Sequence, residues 1–300
     1  MKILNFGSCN IDYVYSLDHI VKPGETETTY GLELFPGGKG LNQAIAVAKA
    51  GAEVYFAGCV GEGSDMLTDI MKDNSVNISL INKLEQKNGH AIIQVNSEGE
   101  NSIFLYPGTN EMVSKDYIDK VLNFFDDGDI ILLQNEISNI DYIVEKAYEK
   151  NMCIIFNPSP INEKINSIDF SLISYVILNE VEAKAISGCG DITNSLKYIK
   201  SKYPNLKIIL TMGKKGCIYT DNKQDYAQSA FKANAIDTTA AGDTFAGYFV
   251  AGISIRTNLQ TVLRTASAAS AISVSRKGAA SSIPNKEEVL IELDNMIEYI

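Results

Sequence analysis

The chain has 300 residues, a net charge of −11, and 45% hydrophobic and 21% charged residues, enough to bury one large α/β core with a small appendage, or two domains. Its lysines and arginines are scattered, which excludes a nucleic-acid groove or an anionic membrane surface as principal partner; no apolar run nears the ~20 residues of a membrane span, and the start has no signal-peptide core. Five separated cysteines without a Cys-x-x-Cys pair, and two histidines, argue against a disulfide framework or a zinc site and fit a reduced, cytoplasmic protein.

In chain order, residues 3–7 read as a buried strand that runs into the polar turn Gly7-Ser8-Cys9-Asn10-Ile11-Asp12. Asn10 and Asp12, two apart on an extended segment, could reach neighbouring sugar hydroxyls or simply form a turn. Residues 12–16 with 28–35, and 91–96 with 102–106, look like exposed strands of mixed polarity, the second pair joined by the turn Ser97-Glu98-Gly99-Glu100. With no helix between them they predict a small protruding sheet, either a lid or a plain embellishment. Between them, Gly37-Gly38-Lys39-Gly40 has three glycines within four residues and opens a helix over 41–50. It is not a Walker A loop, because position 33 is Glu and Lys39 is followed by Gly40. It reads as a hinge, with Lys39 and Asn42 as donors to a ligand.

Beyond this, strands over 54–57, 130–133, 153–157, 176–178 and 207–211 alternate with helices over 66–72, 114–125, 140–150, 181–187 and 196–202. The final third is mostly helical, over 245–252, 259–274 and 286–300. Such alternation predicts a parallel sheet covered on both faces, with ligands at the carboxyl ends of its strands. Glu136 follows one strand and is either a partner for a sugar hydroxyl or a solvated loop acid. Asn179 and Glu182 follow another, spaced either for phosphate and hydrated Mg²⁺ or for a capping box. The turn from Thr211 through Gly213, Lys214 and Lys215 to Gly216 is flat enough for a nucleotide. Residues 273–284 form a small polar loop whose oxygens could hold a monovalent cation or cap a helix.

The stretch Asp237-Thr238-Thr239-Ala240-Ala241-Gly242-Asp243 sets two acids six apart around tiny residues and leads into an apolar helix. Free amides at such a helix start attract anions, so it suggests a phosphate cradle with a carboxylate beside it, although Asp243 taken alone reads more readily as a cap than as a base.

Together, the segments 7–12, 37–44, 179–182 and 237–245 resemble the PfkB, or ribokinase-like, family of sugar kinases over nearly the whole chain, and within it the ribokinase group. The resemblance implies a single kinase domain over 1–300. This would be a three-layer α/β/α sandwich with a mainly parallel sheet and a discontinuous β lid from about 11–36 and 90–107, which often forms a homodimer interface. It implies ATP-dependent phosphorylation of D-ribose at the 5-hydroxyl. A kinase of fructose, a nucleoside or another furanose, and a non-catalytic sugar-binding member, stand as alternatives. A dehydrogenase is disfavoured because no strand precedes a Gly-x-Gly-x-x-Gly motif. By position, Asn10, Asp12, Gly38, Lys39, Asn42 and Glu136 would bind the sugar. Asn179, Thr211, Gly213, Gly216, Gly242 and Ser267 would bind ATP, Ser267 standing where some members carry a histidine against adenine. Glu182 would hold Mg²⁺ through water. Asp243 would be the catalytic base and bind the reacting hydroxyl, with Ala240, Ala241 and Gly242 as anion hole. Asp237, Thr239, Ser273, Arg276, Gly278 and Ser282 would hold an activating K⁺, several through main-chain carbonyls.

Overall fold

Short, mostly apolar runs form the centre of the molecule, because apolar residues on both faces of each strand need cover on both faces. The computed structural model describes residues 1–299. Within them, β1 (Ile3–Phe6), β4 (Val54–Ala57), β9 (Ile130–Gln134), β10 (Cys153–Asn157), β11 (Tyr175–Asn179), β12 (Lys207–Thr211), β13 (Cys217–Thr220) and β14 (Asp225–Gln228) form one sheet. Its order is β14-β13-β12-β11-β10-β9-β1-β4. The pairings from β4 to β12 are parallel; β12-β13-β14 closes the far edge antiparallel.

Alternate strand residues feed two cores. Ile3, Phe56, Leu132, Ile155, Ile177 and Ile209 pack under α1 (Lys39–Lys49), α2 (Asp65–Asp73), α7 (Ala241–Ser254), α8 (Leu259–Ser273) and α9 (Lys286–Leu293). Leu4, Phe6, Leu133, Phe156, Leu178 and Leu210 pack under α3 (Lys115–Leu122), α4 (Ile140–Glu149), α5 (Glu180–Ser187) and α6 (Ile192–Lys202). This is the predicted three-layer α/β/α sandwich. On the first face, α1 and α7 nearly touch: a Cβ added at Gly247 would lie 2.3 Å from the Cβ of Ala46. That approach brings the start of α1 beside the start of α7.

A second sheet, ordered β3-β2-β7-β8, is built from β2 (Asn10–Ser16), β3 (Gly31–Gly37), β7 (Gly89–Val95) and β8 (Asn101–Tyr106). These are the strands predicted for the protruding sheet, each within two or three residues of the expected start and end. A further two-stranded pair, β5 (Cys59–Glu62) with β6 (Asn82–Lys87), was not anticipated. β1 pairs with β9 on one side and β4 on the other, so the chain leaving β1 and the chain leaving β9 diverge there. Such a divergence opens a crevice at the strand ends.

Three helix expectations need correction, one being α6, which begins at Ile192 instead of 196. The last helix stops at Leu293 instead of running to 300. Residues 297–299 instead pair with 230–232, the Lys232 amide donating to Ile297 O at 2.7 Å and the Tyr299 amide to Ala230 O at 2.7 Å; Ile300 lies outside the described residues. The helix expected from 245 begins at Ala241, which puts Asp243 inside its first turn. Among the described residues no helix is long and apolar enough to cross a membrane.

Candidate active site

The start of α7 has no side-chain cap: the cap position is Ala240, in the left-handed conformation at φ +59°. Among the described residues the amides of Gly242 and Asp243 have no protein acceptor, and a Cβ at Gly242 would meet nothing within 4 Å. Unpaired amides at a helix start, beside a glycine with open space around it, form an arrangement that can accept an anion. Asp243 is therefore not the cap. Its carboxylate, only 6% exposed, accepts from Asn42 Nδ2 at 3.1 Å on Oδ2 and from Gln43 Nε2 at 2.9 Å on Oδ1. The Oδ1 atom of Asn42 is buried without a protein partner and is left as an acceptor beside the carboxylate.

The glycine loop sets this up. Gly38 sits at φ +93°, where a side chain would strain the backbone, and a Cβ at Gly40 would fall 2.4 Å from Ser8 N. The loop can thus press against the turn after β1, and Leu41 N donates to Ser8 O at 3.0 Å. Glu136 closes the third side: its Oε2 accepts from Lys39 N at 2.9 Å and from the Ser8 hydroxyl. It is no solvated loop acid. Asn10 lies against the same turn, its Oδ1 accepting from Asn110 Nδ2 at 2.8 Å, and the Asp12 carboxylate packs against the Cα of Gly37.

Charge is concentrated here. Burial, then the neighbouring Glu136 charge, pushes the Asp12 carboxyl up to about 7. Burial also raises Glu136, against the pull of Lys39 and the Ser8 hydroxyl. The Lys39 ammonium is held protonated chiefly by Asp243, with Glu136 and Glu182 adding to it and burial opposing. Asn10, Asp12, Lys39, Asn42, Glu136 and Asp243 are therefore gathered in one polar cluster at the β1/β9 divergence.

Further along the rim, Asn179 and Thr211 are register partners at the ends of β11 and β12. Asn179 accepts from the amides of Val181 and Glu182, and both Glu182 oxygens accept from Asn179, at 2.8 and 2.9 Å. The capping box is therefore formed. The turn after Thr211 carries Gly213 at φ +54° and Gly216 at φ +90°. Ser267, buried in α8, faces Cys217 just beyond that turn, and Ser270 one turn on donates to Ala241 O at 3.0 Å. α8 thus ties this rim to the start of α7.

Asp237 joins two loops, accepting from Thr239 N on Oδ1 and from Gly278 N on Oδ2, both at 2.9 Å. Burial opposes its ionisation, but these bonds and the Thr239 hydroxyl outweigh it and lower its pKa. The hydroxyls of Ser273 and Ser282 donate to carbonyls of their own turns, and the Arg276 guanidinium pairs with Glu288 on α9. Arg276 has only its main-chain oxygen to offer a cation between the loops, whereas the two serine hydroxyl oxygens keep their lone pairs.

The description pfkB family carbohydrate kinase belongs to the family model that matches residues 1–286. The chain is a member of the PfkB family. This kinase is 34% identical to ribokinase from Haemophilus influenzae over 300 residues, 96% of this chain and 97% of that one. In structure it resembles ribokinase from Thermotoga maritima, with 35% identity, a TM-score of 0.87 and coverage of 98% and 99%. It also resembles the Arabidopsis thaliana ribokinase complexed with ribose and ATP, with 26% identity, a TM-score of 0.87 and coverage of 97% and 98%.

In this PfkB kinase the sequence pattern passed over Ser8, Gln43, Asn110 and Gln134, all buried at the site. Gln43 carried a signal nonetheless: Asn42-Gln43 are two consecutive amides in a helix that is otherwise apolar on its buried side, and buried amides need partners.

Proposed function

We infer that the kinase transfers the γ-phosphoryl group of ATP to the 5-hydroxyl of D-ribose, Asp243 accepting the hydroxyl proton. The observation that carries this is the buried Asp243 carboxylate, held by two amides at the mouth of an uncapped helix and beside the Asn10, Asp12 and Glu136 cluster. The hydroxyl oxygen forms a bond to the γ-phosphorus, the bond to the β–γ bridging oxygen breaks, ADP leaves, and the proton passes to Asp243. Unpaired amides of Gly242 and Asp243 stabilise the charge on the phosphoryl oxygens, which is where phosphoryl transfer most needs help. Asn10, Asp12, Gly38, Lys39, Asn42 and Glu136 bind and orient the sugar. Asn179, Thr211, Gly213, Gly216, Gly242 and Ser267 line the nucleotide side.

Glu182 suits Mg²⁺ held through water, since each carboxylate oxygen keeps a lone pair after the capping box is made. The ion would offset phosphate charge. Carbonyl oxygens around the Asp237–Gly278 bridge, with Asp237 itself, suit a weakly hydrated monovalent cation such as K⁺, which would firm the loop leading into Ala240. The small sheet acts as a lid that excludes water from ATP, within one kinase domain. Free cysteines, of which Cys9, Cys59 and Cys217 are buried, support a reducing, cytoplasmic setting. The deciding experiment is ADP release with ribose, 2-deoxyribose, fructose and adenosine, in K⁺ and in Na⁺. Ribose in K⁺ is expected to give the highest kcat/KM. Equal rates in the two salts count against the cation site, and preference for another acceptor counts against ribose.

The lid also supports a homodimer. All six residues of β8 are exposed, with Ile103 at 56% and Phe104 at 55%, and Leu32, Leu34 and Phe35 of the opposite edge strand are exposed as well. An apolar, unpaired sheet edge is a pairing surface, and a second copy supplies the same edge. Sedimentation is expected to show a dimer that Ile103→Lys with Leu105→Lys dissociates; a wild-type monomer at micromolar concentration overturns the proposal.

A further inference from the structure

Gln43 lies at the middle of a chain of amides that reaches the base from the strands β1, β9 and β10 beneath α1. Its Nε2 donates both hydrogens, one to Asp243 Oδ1 at 2.9 Å and one to Asn157 Oδ1 at 3.0 Å. Its Oε1 accepts from Gln134 Nε2 at 2.7 Å, which also donates to Asn5 Oδ1 at 2.9 Å. The chain ends on main-chain carbonyls at both sides: Asn5 Nδ2 donates to Gly40 O at 2.5 Å, and Asn157 Nδ2 to Ile177 O at 2.9 Å. A carbonyl can only accept, so neither terminal amide can turn over, and each amide between them is held in one orientation. Gln43, Gln134 and Asn5 are fully buried, where a reversed amide would set donor against donor without water to relieve it.

The geometry points to Gln43 as a positioning residue for phosphoryl transfer: the polarised amide chain locks its NH₂ onto Oδ1 of Asp243 and so fixes the face that the carboxylate turns to the acceptor hydroxyl. Asn42 holds Oδ2 from the same helix, but its own Oδ1 is unpartnered and no such chain stands behind it. A carboxylate free to rotate by a few tenths of an ångström loses alignment with an in-line attack, and misalignment is costly in rate. The chain also joins the hinge to the base, since it begins at the Gly40 carbonyl.

This rests on Asp243 being the base, so the test contains an arm for that reading. kcat is measured per nucleotide-binding molecule, counted by ADP titration calorimetry, for wild type, Gln43→Glu, Gln43→Met, Asp243→Asn and Asp243→Asn with Gln43→Met. Each single change at Gln43 is expected to lower kcat about 10–10²-fold while KM for the sugar stays within about threefold. In the Asp243→Asn background, Gln43→Met is expected to add less than about threefold, because two groups acting as one unit are not additive. Wild-type kcat in Gln43→Met, a loss carried in KM, or full multiplication in the double variant overturns the positioning role while leaving the base reading intact. Wild-type turnover in Asp243→Asn overturns both.

Discussion

Asp243→Asn is expected to fold, to bind ADP with wild-type stoichiometry, and to turn over about 10²–10⁴-fold more slowly, the range for removal of a general base. The shape is unchanged, so the contact of α1 with α7 at Ala46 and Gly247 survives. The new amide can keep the Gln43 bond through its oxygen. Its nitrogen would face Asn42 Nδ2, donor against donor, but Asn42 has an unpartnered Oδ1 and can turn that atom to accept. Lys39 loses the charge that contributes most to keeping it protonated, so its pKa falls towards the ordinary lysine range. The defect should therefore appear in kcat, with the KM for ATP nearly constant. A variant that unfolds, or one that keeps wild-type kcat, would contradict a role confined to proton acceptance.

Sugar affinity is expected to fall steeply below neutral pH, with KM for the sugar about tenfold higher at pH 6 than at pH 8 and KM for ATP nearly unchanged. The cause is Asp12, whose carboxyl is pushed up to about 7 by burial and by Glu136. Sugar hydroxyls donate best to the ionised form, so binding is strong above that value and is lost as pH falls through it; with a pKa near 7 the ionised fraction changes about tenfold over this span. The sign for the sugar-free protein is opposite. The folded state holds this proton more tightly than the unfolded chain does, so the contribution of Asp12 to stability falls as pH rises from about 4 to about 7. Asp12→Asn should flatten the KM profile and lower kcat/KM for the sugar by about 10–10²-fold, the loss of a charged acceptor. A profile that keeps its acid limb in that variant would assign the titration to another group, such as Glu136.

The sandwich was legible because its strands are short apolar runs at helix-length spacing, a pattern with few alternatives. The protruding sheet was legible from mixed polarity and a helix-free interval. The end of the last helix was not, since Met296 and Ile297 continue the apolar pattern while the backbone from 297 pairs with 230–232, a long-range preference that periodicity cannot carry. At the site, Asp243 was readable as either cap or base, and the left-handed Ala240, which shifts the helix start to 241, removes the cap. Glu182 met the opposite outcome: its box with Asn179 is made, and any role towards a metal comes on top of it. Gln43, Gln134, Asn157 and Asn5 come from four separate segments, so their chain exists only once the sheet order has set β1, β9 and β10 side by side under α1.

The central claim is tested most directly by the product itself. With ATP, Mg²⁺ and D-ribose, phosphorus–proton correlation NMR is expected to show the transferred phosphorus coupled to the two hydrogens on C5, at one product per ADP released. Coupling to the hydrogen on C1, or ADP released without a sugar phosphate, would contradict the account.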